Sequence, residues 1–575
     1  MSTLLSGAQI LLECLTREQV ACMFGYPGGV TLPLYDAIYD HPLKHVLVRH
    51  EQNAAFAASG YARATGKVGV CCATSGPGAT NLVTGLVDSM MDSIPVVAIT
   101  GQVTSKLIGS DAFQEADTFG ITRSCTKHNF LVKTVNDLPQ IVHEAFYIAA
   151  SGRPGPVLVD IPKDVFQAHA QYTPVTTIHL PGYKVYTEGH TGQIRRAAQM
   201  MWDAERPFVY AGGGIVAAGA TPELTELVET LDCPAVCTLM GLGGLSSNHE
   251  NFISLPGMHG SYAANMGMTN TDLLIALGTR FDDRVTGRLN AFAPHAKVIH
   301  VDIDPAEISK NRTADLPIVG DVKRVLSKLN KFLVELRDEH GAANAGARKA
   351  WWGQVREWQR EHPLEPEISQ DEIKPQHLMA EIDRLSAGEA VVTADVGQHQ
   401  MWAAQFVKFN HPRLWINSGG LGAMGFGLPS AIGAQFARPD KLVFAVVGDG
   451  GFQMSLPELA TLVNYSLPVK VIVANNGYLG MIRQWQELFY NNRICSAELT
   501  SFPDVKLLAA AYGFKGSTVE SPSQLRGALE EAVREPGPYL LNVKISPFEN
   551  VYPMVPAGGA INEMVLGPPQ PVAAD

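Results

Sequence analysis

The chain has no apolar run near the ~18–20 residues that a membrane-spanning helix needs. Its apolar stretches, such as 273–277 and 471–474, are a handful of residues long, so no membrane partner is expected. Positive charge is also short: 44 Lys and Arg face 56 Asp and Glu, a formal net charge of −12. Without a basic excess to neutralise phosphates, nucleic acid is excluded as a partner. Only eight cysteines occur and none forms Cys-x-x-Cys. The adjacent Cys71 and Cys72 lie in a strand-like apolar run, which suits reduced, packed thiols in a cytoplasmic protein. The first ten residues lack both the basic-then-apolar pattern of a secretory signal and the Arg- and Ser-rich look of a transit peptide, so export and import are not indicated. Charged residues make up 17% against 46% hydrophobic, which argues for a folded chain and against disorder.

What is present is an alternation of helical stretches with short Val- and Ile-rich runs, over 575 residues. That length exceeds what one core supports. Strands are expected at 46–48, 68–73, 96–100 and 157–161; then at 208–211, 235–238, 273–277 and 298–301; then at 390–394, 443–447, 469–474 and 540–544. The alternation predicts an α/β protein of three doubly wound parallel-sheet domains. The expected limits are 1–166, 191–345 and 374–575, with a Pro- and Gly-bearing linker at 167–190 and a second linker at 346–373 that contains a charged helical stretch, 348–361. No short-period repeat is visible, although the first and third segments are alike in style.

The stretch richest in chemistry is Val443-Phe-Ala-Val-Val-Gly-Asp-Gly-Gly-Phe, followed by a helical pattern at 456–465 and then Val469-Lys-Val-Ile-Val-Ala-Asn-Asn. As a βαβ unit it brings Asp449 and Asn476 to the carboxyl ends of two parallel strands, the edge where open α/β sheets bind ligands. A carboxylate and an amide oxygen are hard ligands suited to Mg²⁺, whose octahedron is filled by a backbone carbonyl, water and diphosphate oxygens. Gly448 and Gly450 let backbone approach that diphosphate.

Gly448-Asp449-Gly450 followed by Asn475-Asn476 resembles the cofactor motif of thiamine-diphosphate enzymes. Over essentially the whole chain the matching segments are those of acetohydroxyacid synthase large subunits: Phe24-Gly-Tyr-Pro-Gly-Gly, Val48-Arg-His-Glu-Gln-Asn, Thr74-Ser-Gly-Pro-Gly-Ala-Thr-Asn, Asp111-Ala-Phe-Gln-Glu, Ser151-Gly-Arg-Pro-Gly-Pro, Leu255-Pro-Gly-Met-His-Gly, Gly278-Thr-Arg-Phe-Asp-Asp-Arg, Asp395-Val-Gly-Gln-His-Gln and Ser418-Gly-Gly-Leu-Gly-Ala-Met-Gly. The resemblance implies three domains: pyrimidine-binding, central FAD-binding and diphosphate-binding. It implies decarboxylation of pyruvate and condensation of the two-carbon fragment with a second pyruvate, giving 2-acetolactate, or with 2-oxobutyrate, giving 2-aceto-2-hydroxybutyrate. This is the first common step of branched-chain amino-acid biosynthesis.

By the same resemblance, Glu51 hydrogen-bonds the aminopyrimidine ring nitrogen and promotes loss of the thiazolium C2 proton, a role that needs hydrogen-bond reach. Phe113 and Gln114 stand near the reacting carbon, Lys163 lines the substrate channel, and Met258 joins the catalytic set. Arg284 engages the acceptor carboxylate, as a guanidinium fork suits. Trp485 favours the larger acceptor. Read alone, Trp485 is a core aromatic and Arg284 an ion-pair partner of Asp282 or Asp283. Thiamine diphosphate is assigned to Glu51, Pro77, Asn81, Gln398, His399, Gly422, Met424, Gly450, Gly451, Tyr478, Leu479, Gly480 and Met481. Mg²⁺ is assigned to Asp449, Asn476 and the Tyr478 carbonyl. No Gly-x-Gly-x-x-Gly follows a strand in the middle segment, so FAD, in a non-redox role, comes from the resemblance. Its residues are Arg153, Gly212, Gly213, Gly214, Thr238, Leu239, Met240, His259, Gly278, Arg280, Asp302 and Asp321.

Implied partners are a second copy, in a homodimer or dimer of dimers with the site between subunits, and a small valine-sensing subunit. The alternatives are a thiamine- and FAD-dependent pyruvate oxidase and a catalytically silent cofactor-binding homologue. Glyoxylate carboligases are disfavoured because that family lacks the glutamate found here as Glu51.

Overall fold

The computed structural model describes residues 4–341 and 343–568. The first residues of the N-terminal domain and the last of the C-terminal arm lie outside them. Three six-stranded sheets organise the chain, and every pairing within them is parallel. The first runs Lys44–Leu47, Cys22–Gly25, Gly69–Ala73, Val96–Gln102, Val157–Pro162, His128–Leu131. The second runs Phe252–Ser254, Ala235–Cys237, Pro207–Ala211, Leu273–Leu277, Lys297–Asp302, Leu316–Val319. The third runs Trp415–Asn417, Val391–Ala394, Val443–Gly448, Lys470–Asn475, Tyr539–Lys544, Lys515–Val519. This is the α/β, doubly wound architecture expected.

Counted along the chain within each sheet, the first and third share the order 2-1-3-4-6-5, so their likeness in sequence style is a likeness of topology. The second has the order 3-2-1-4-5-6 of dinucleotide-binding folds, and after its strand Pro207–Ala211 it carries Gly212-Gly-Gly-Ile-Val-Ala, with Ala217 where the strict fingerprint has its last glycine. Each expected strand is present within two residues at its ends. Among the described residues eight strands were not anticipated: Leu4–Ser6 and His169–Gln171, which pair antiparallel, and two in each six-stranded sheet, of which five are sheet edges, His128–Leu131, Phe252–Ser254, Leu316–Val319, Trp415–Asn417 and Lys515–Val519. Inner strands are buried on both faces and read as unbroken apolar runs. The edges are short and mostly mixed in burial.

One helical stretch differs from expectation and another forms as expected. The helical pattern expected at 456–465 starts earlier, as a helix Asp449–Ser455, a 3₁₀ turn Leu456–Glu458 and a helix Leu459–Asn464. The charged stretch within 346–373 is a helix, Ala345–Glu361, packed on the central domain. Its Arg348 guanidinium donates to the carbonyls of Leu231, Met201 and Trp202, and Trp351 Nε1 donates to the Pro207 carbonyl at 3.2 Å. Three tryptophans on this helix, Trp351, Trp352 and Trp358, are buried, which a charge count does not reveal.

The first and third domains meet where the Glu51–Thr65 helix crosses the Gly427–Ala437 helix. The crossing is close because the meeting residues are small. A Cβ on Gly60 would lie 2.2 Å from the Ser430 carbonyl oxygen, and one on Gly433 would lie 1.9 Å from that of Ala57. The buried Glu458 carboxylate spans the same boundary, accepting from the Arg49 N–H at 2.8 Å and Asn53 Nδ2 at 2.9 Å. Among the described residues no helix is long and apolar enough to cross a membrane. All eight cysteines are free and all but Cys495 are buried.

Candidate functional site

The motif residues collect at the carboxyl edges of the sheets, where open α/β folds bind ligands. In the first domain, Glu51 opens the helix that follows Lys44–Leu47, and Pro77 opens the short helix Pro77–Asn81 after Gly69–Ala73. The two are joined: Asn81 Nδ2 donates to Glu51 Oε2 at 3.0 Å. Thr74 Oγ1 and Ser75 Oγ beside them are buried and find no hydrogen-bond partner among the described residues. Gly76 has φ +59°, and a Cβ there would lie 2.7 Å from the Gln114 carbonyl oxygen, so the loop bearing Phe113 and Gln114 rests on this turn.

That loop is braced from within and from the sheet. Glu115 accepts from the N–H groups of Gly109 and Ala112, and Asp111 and Gln114 adopt positive φ. Gln102 Nε2 donates both to the Ala116 carbonyl at 3.0 Å and to the buried Asp160 at 3.1 Å. Burial pushes the Asp160 carboxyl up to about 7. Phe113 is 88% exposed. Lys163 starts the helix after Val157–Pro162, next to Asp164, which accepts from the Ser105 N–H at 2.8 Å.

The remaining residues line one cavity of about 1130 Å³ bounded by all three domains, the first contributing Arg63, Asp92 and Ser93 among others. On its third-domain wall are Gln398, His399, Gly422, Met424, Asp449, Gly450, Gly451, Asn476, Tyr478, Leu479, Gly480, Met481 and Trp485. On its central wall are Gly212, Gly213, Gly214, Thr238, Leu239, Met240, Met258, His259, Gly278, Arg280, Arg284, Asp302 and Asp321, with Arg153 from the first domain. Glu51, Pro77, Asn81, Phe113, Gln114 and Lys163 do not line this cavity. The chain therefore assembles two separate groups.

Register explains the third-domain wall. Gly448 pairs with Ala474 across parallel strands, so Asp449 and Asn476 leave the sheet side by side. Asp449 is buried and accepts from the N–H groups of Gly450 at 2.9 Å and Gly477 at 2.8 Å. Burial holds its carboxyl up near 6. Asn476 Nδ2 donates to Gln398 Oε1 at 3.2 Å, and the Asn476 amide oxygen accepts from the Tyr478 N–H at 3.0 Å. Among the described residues no three His, Cys, Asp or Glu side chains converge; a divalent cation here would be held by one carboxylate, one amide oxygen and non-side-chain oxygens, a donor set that fits Mg²⁺.

The glycines are required for space. A Cβ on Gly448 would lie 2.9 Å from the His399 ring, and one on Gly451 would lie 2.4 Å from Asp395 Oδ1. His399, lowered to about 4 by burial, is neutral, and its Nε2 is buried without a partner among the described residues. Backbone and an unpaired imidazole nitrogen thus meet around a space that fits a diphosphate.

On the central wall, Gly212 and Gly214 cross Gly278 so closely that a Cβ on either would come within 2.6 Å of Gly278 backbone. Thr279 Oγ1 is buried without a hydrogen-bond partner among the described residues, and burial lifts the Asp302 carboxyl to about 6. Such an edge fits a dinucleotide pyrophosphate. Arg153 donates to Glu307 at 2.6 Å and to Ser93 at 2.8 Å. Arg284 lies at the cavity and pairs with Asp283 at 3.3 Å, both side chains being largely exposed. Trp485 packs edge-on against Phe489 and is only partly buried, so it is a cavity wall and not a core aromatic.

Sequence reasoning gave no role to Asp395, which accepts from the N–H groups of Val396, Gly425 and Gly427 and so anchors the Met424 loop. It also passed over the strap at 549–555. Gln484 exchanges hydrogen bonds with the Val551 backbone, and Val555 N–H donates to the Met258 carbonyl. Asp395 directly follows a strand at its carboxyl end, a signal that was available; the strap has none.

Comparison with known proteins matches residues 5–121 to the N-terminal TPP-binding domain of thiamine pyrophosphate enzymes, 194–329 to their central domain and 395–543 to their C-terminal TPP-binding domain. The chain belongs to the thiamine pyrophosphate enzymes, and thiamine diphosphate is its cofactor. It is 47% identical over 569 residues to the acetolactate synthase isozyme 3 large subunit of Escherichia coli, covering 98% of this chain and 99% of that one. It is 47% identical over 571 residues to the isozyme 2 large subunit of the same organism, covering 98% and 99%. It is 49% identical over 567 residues to an acetolactate synthase of Mycobacterium bovis, covering 97% and 91%. Within the class, the chain is therefore a member of the acetolactate synthase large-subunit family, and the family and activity expected from the sequence are borne out.

Proposed function

We propose that this chain condenses pyruvate with a second 2-oxo acid, pyruvate or 2-oxobutyrate, at a site completed by a second copy of itself. The observation that carries the reading is that Asp449 and Asn476 follow the carboxyl ends of two paired parallel strands, beside a glycine cradle and the buried His399 Nε2 that has no partner among the described residues. Thiamine diphosphate, when bound, supplies the electron sink that lets carbon dioxide leave a 2-oxo acid. Asp449, Asn476 and the Tyr478 carbonyl would hold Mg²⁺, and Gln398 and His399 would contact the diphosphate. Glu51, kept in place by Asn81, would hold or release a proton at the aminopyrimidine ring nitrogen. Gln114, Phe113 and Lys163 would wall the substrate channel. Arg284 would exchange its exposed Asp283 partner for the acceptor carboxylate, and Trp485 would meet the acceptor's alkyl group.

Because the Glu51 group and the Asp449 cavity are separate in one chain, the dimer would join one copy's first domain to the other's third. Large exposed apolar side chains on both parts support this: Leu32 at 57% and Phe113 at 88% on the first, Met454 at 56% and Ile482 at 51% on the third. FAD would lie along the central crevice as a structural group. The reading includes domain limits at 1–166, 191–345 and 374–575, a cytoplasmic location and a small valine-sensing partner.

The test is incubation of the purified chain with thiamine diphosphate, Mg²⁺, FAD and pyruvate, with acetolactate measured as acetoin after acidification while the flavin absorbance is followed. Acetolactate with an oxidised flavin is expected. Bleaching of the flavin with acetate and no acetolactate would make the chain an oxidase and overturn the roles given to Arg284 and Trp485.

A further inference from the structure

Three ionisable side chains of the first domain are buried at its boundary with the third: Arg63, Asp88 and Asp92, which are 5%, 0% and 0% exposed. Charges taken out of water persist only where they are paired and hydrogen-bonded. Arg63 Nη2 donates to Asp88 Oδ2 at 3.0 Å and to Asp92 Oδ2 at 2.9 Å. One guanidinium thus serves two carboxylates, and Asp92 has acceptor capacity left over. It is used across the boundary: the Gly420 N–H donates to Asp92 Oδ1 at 2.7 Å and the Gly419 N–H to Oδ2 at 2.9 Å.

Gly419 and Gly420 open the loop that carries Gly422 and Met424 to the cavity. Its far end is fixed by Asp395, which accepts from Gly425 and Gly427, and its middle by Ser418 Oγ, which accepts from the Ala423 N–H at 2.9 Å. The loop is therefore slung between two buried carboxylates, one in its own domain and one in another. The fit at the Asp92 end is tight, since a Cβ on Gly420 would lie 2.8 Å from Asp92 Oδ1.

We infer that Asp92 is a positioning residue, with Arg63 as its counter-charge: it sets, from the first domain, the shape in which the third-domain loop receives thiamine diphosphate. This rests on the reading of Gly422 and Met424 given above. Asp92→Asn keeps the side chain's size but presents one oxygen and one donor to two N–H groups, so one charge-assisted bond to the loop is lost. Gly420→Ala presses on the same contact from the loop side and leaves all three charges in place.

The test titrates thiamine diphosphate with Mg²⁺ into the cofactor-stripped full chain and reads tryptophan fluorescence, since Trp415 and Trp485 line the cavity. FAD is titrated separately by its own fluorescence, and the unfolding midpoint checks the fold. In both variants the thiamine diphosphate Kd is expected to rise about tenfold or more while the FAD Kd stays within about threefold. Equal loss of both cofactors in both variants would reduce Asp92 to a general structural residue and overturn the inference. Saturable thiamine diphosphate binding by the unaltered chain with no change in either variant would overturn it and leave the proposed function standing. No saturable binding by the unaltered chain would overturn both.

Discussion

Glu51→Gln separates the chemistry assigned to this side chain from its place in the fold. Glutamine has nearly the same shape, and its carbonyl oxygen can keep the bond that Asn81 Nδ2 makes to Glu51 at 3.0 Å. What is lost in the fold is the charge on that acceptor, together with a carboxylate in the first turn of the Glu51–Thr65 helix, the second worth ~0.3–1 kcal/mol. Glu51 is only partly buried, so solvent screening reduces both contributions. Stability should therefore fall by about 1 kcal/mol at most, or roughly 2–4 °C in the unfolding midpoint of a domain this size. The chemical loss should be far larger, because a positioned proton-transfer group contributes ~10²–10⁴ in rate, which is ~3–5 kcal/mol of barrier. The assay is hydrogen–deuterium exchange at C2 of bound thiamine diphosphate, stopped in acid and read by NMR, beside a thermal scan of the same preparation. Exchange within threefold of the unaltered chain would refute the role of Glu51. A slowed exchange that came with a collapse of stability would refute the claim that the two can be separated.

Three other outcomes are expected. Gly433→Ala places a Cβ 1.9 Å from the Ala57 carbonyl oxygen, so the two helices joining the first and third domains must part; a loss of ~1–3 kcal/mol or more is expected, and an unfolding midpoint within one degree of the unaltered chain would show that the crossing gives way freely. Burial raises the Asp160 carboxyl from 3.8 to about 7; the folded chain holds a proton that the unfolded chain releases, so this contribution is full below pH ~4 and is lost as pH rises through about 7. Asp160→Asn should flatten that decline, and pH–stability curves that run parallel for the two chains would refute it. Trp485→Ala should lower the preference for 2-oxobutyrate over pyruvate by about tenfold, the scale set by one methylene, as read from the product ratio in a competition assay; an unchanged ratio would remove Trp485 from acceptor choice.

The residues that were legible in the sequence and those that were not differ in the range of the physics behind them. Central strands such as Val443–Gly448 and Lys470–Asn475 are buried along their whole length, and a strand covered on both faces must be written in apolar residues. Asp449 and Asn476 were legible because each interrupts such a run at its carboxyl end. Arg63, Asp88 and Asp92 interrupt nothing, and the bond from Gly420 to Asp92 joins positions 328 residues apart, beyond any local period. Arg284 shows the middle case: the sequence offered Asp282 or Asp283 as its partner, and only coordinates select Asp283.

Glycine shows why motif reading captures part of a site and misses its scaffold. Gly212, Gly214, Gly448 and Gly451 stand in clusters at strand ends, where the pattern marks them as ligand-facing backbone. Gly60 and Gly433 stand alone in helices, where a lone glycine reads as a modest cost. The physical demand is the same in both places, since a Cβ at any of the six would come within 3.0 Å of another heavy atom. At the strand ends the crowding atoms are His399, Asp395 and Gly278, which also wall the cavity or anchor its loops; in the helices they are the backbone of the opposing domain. The same lack of a side chain thus shapes the cofactor crevice at one set of positions and fixes the domains around it at the other, and only the first set leaves a motif.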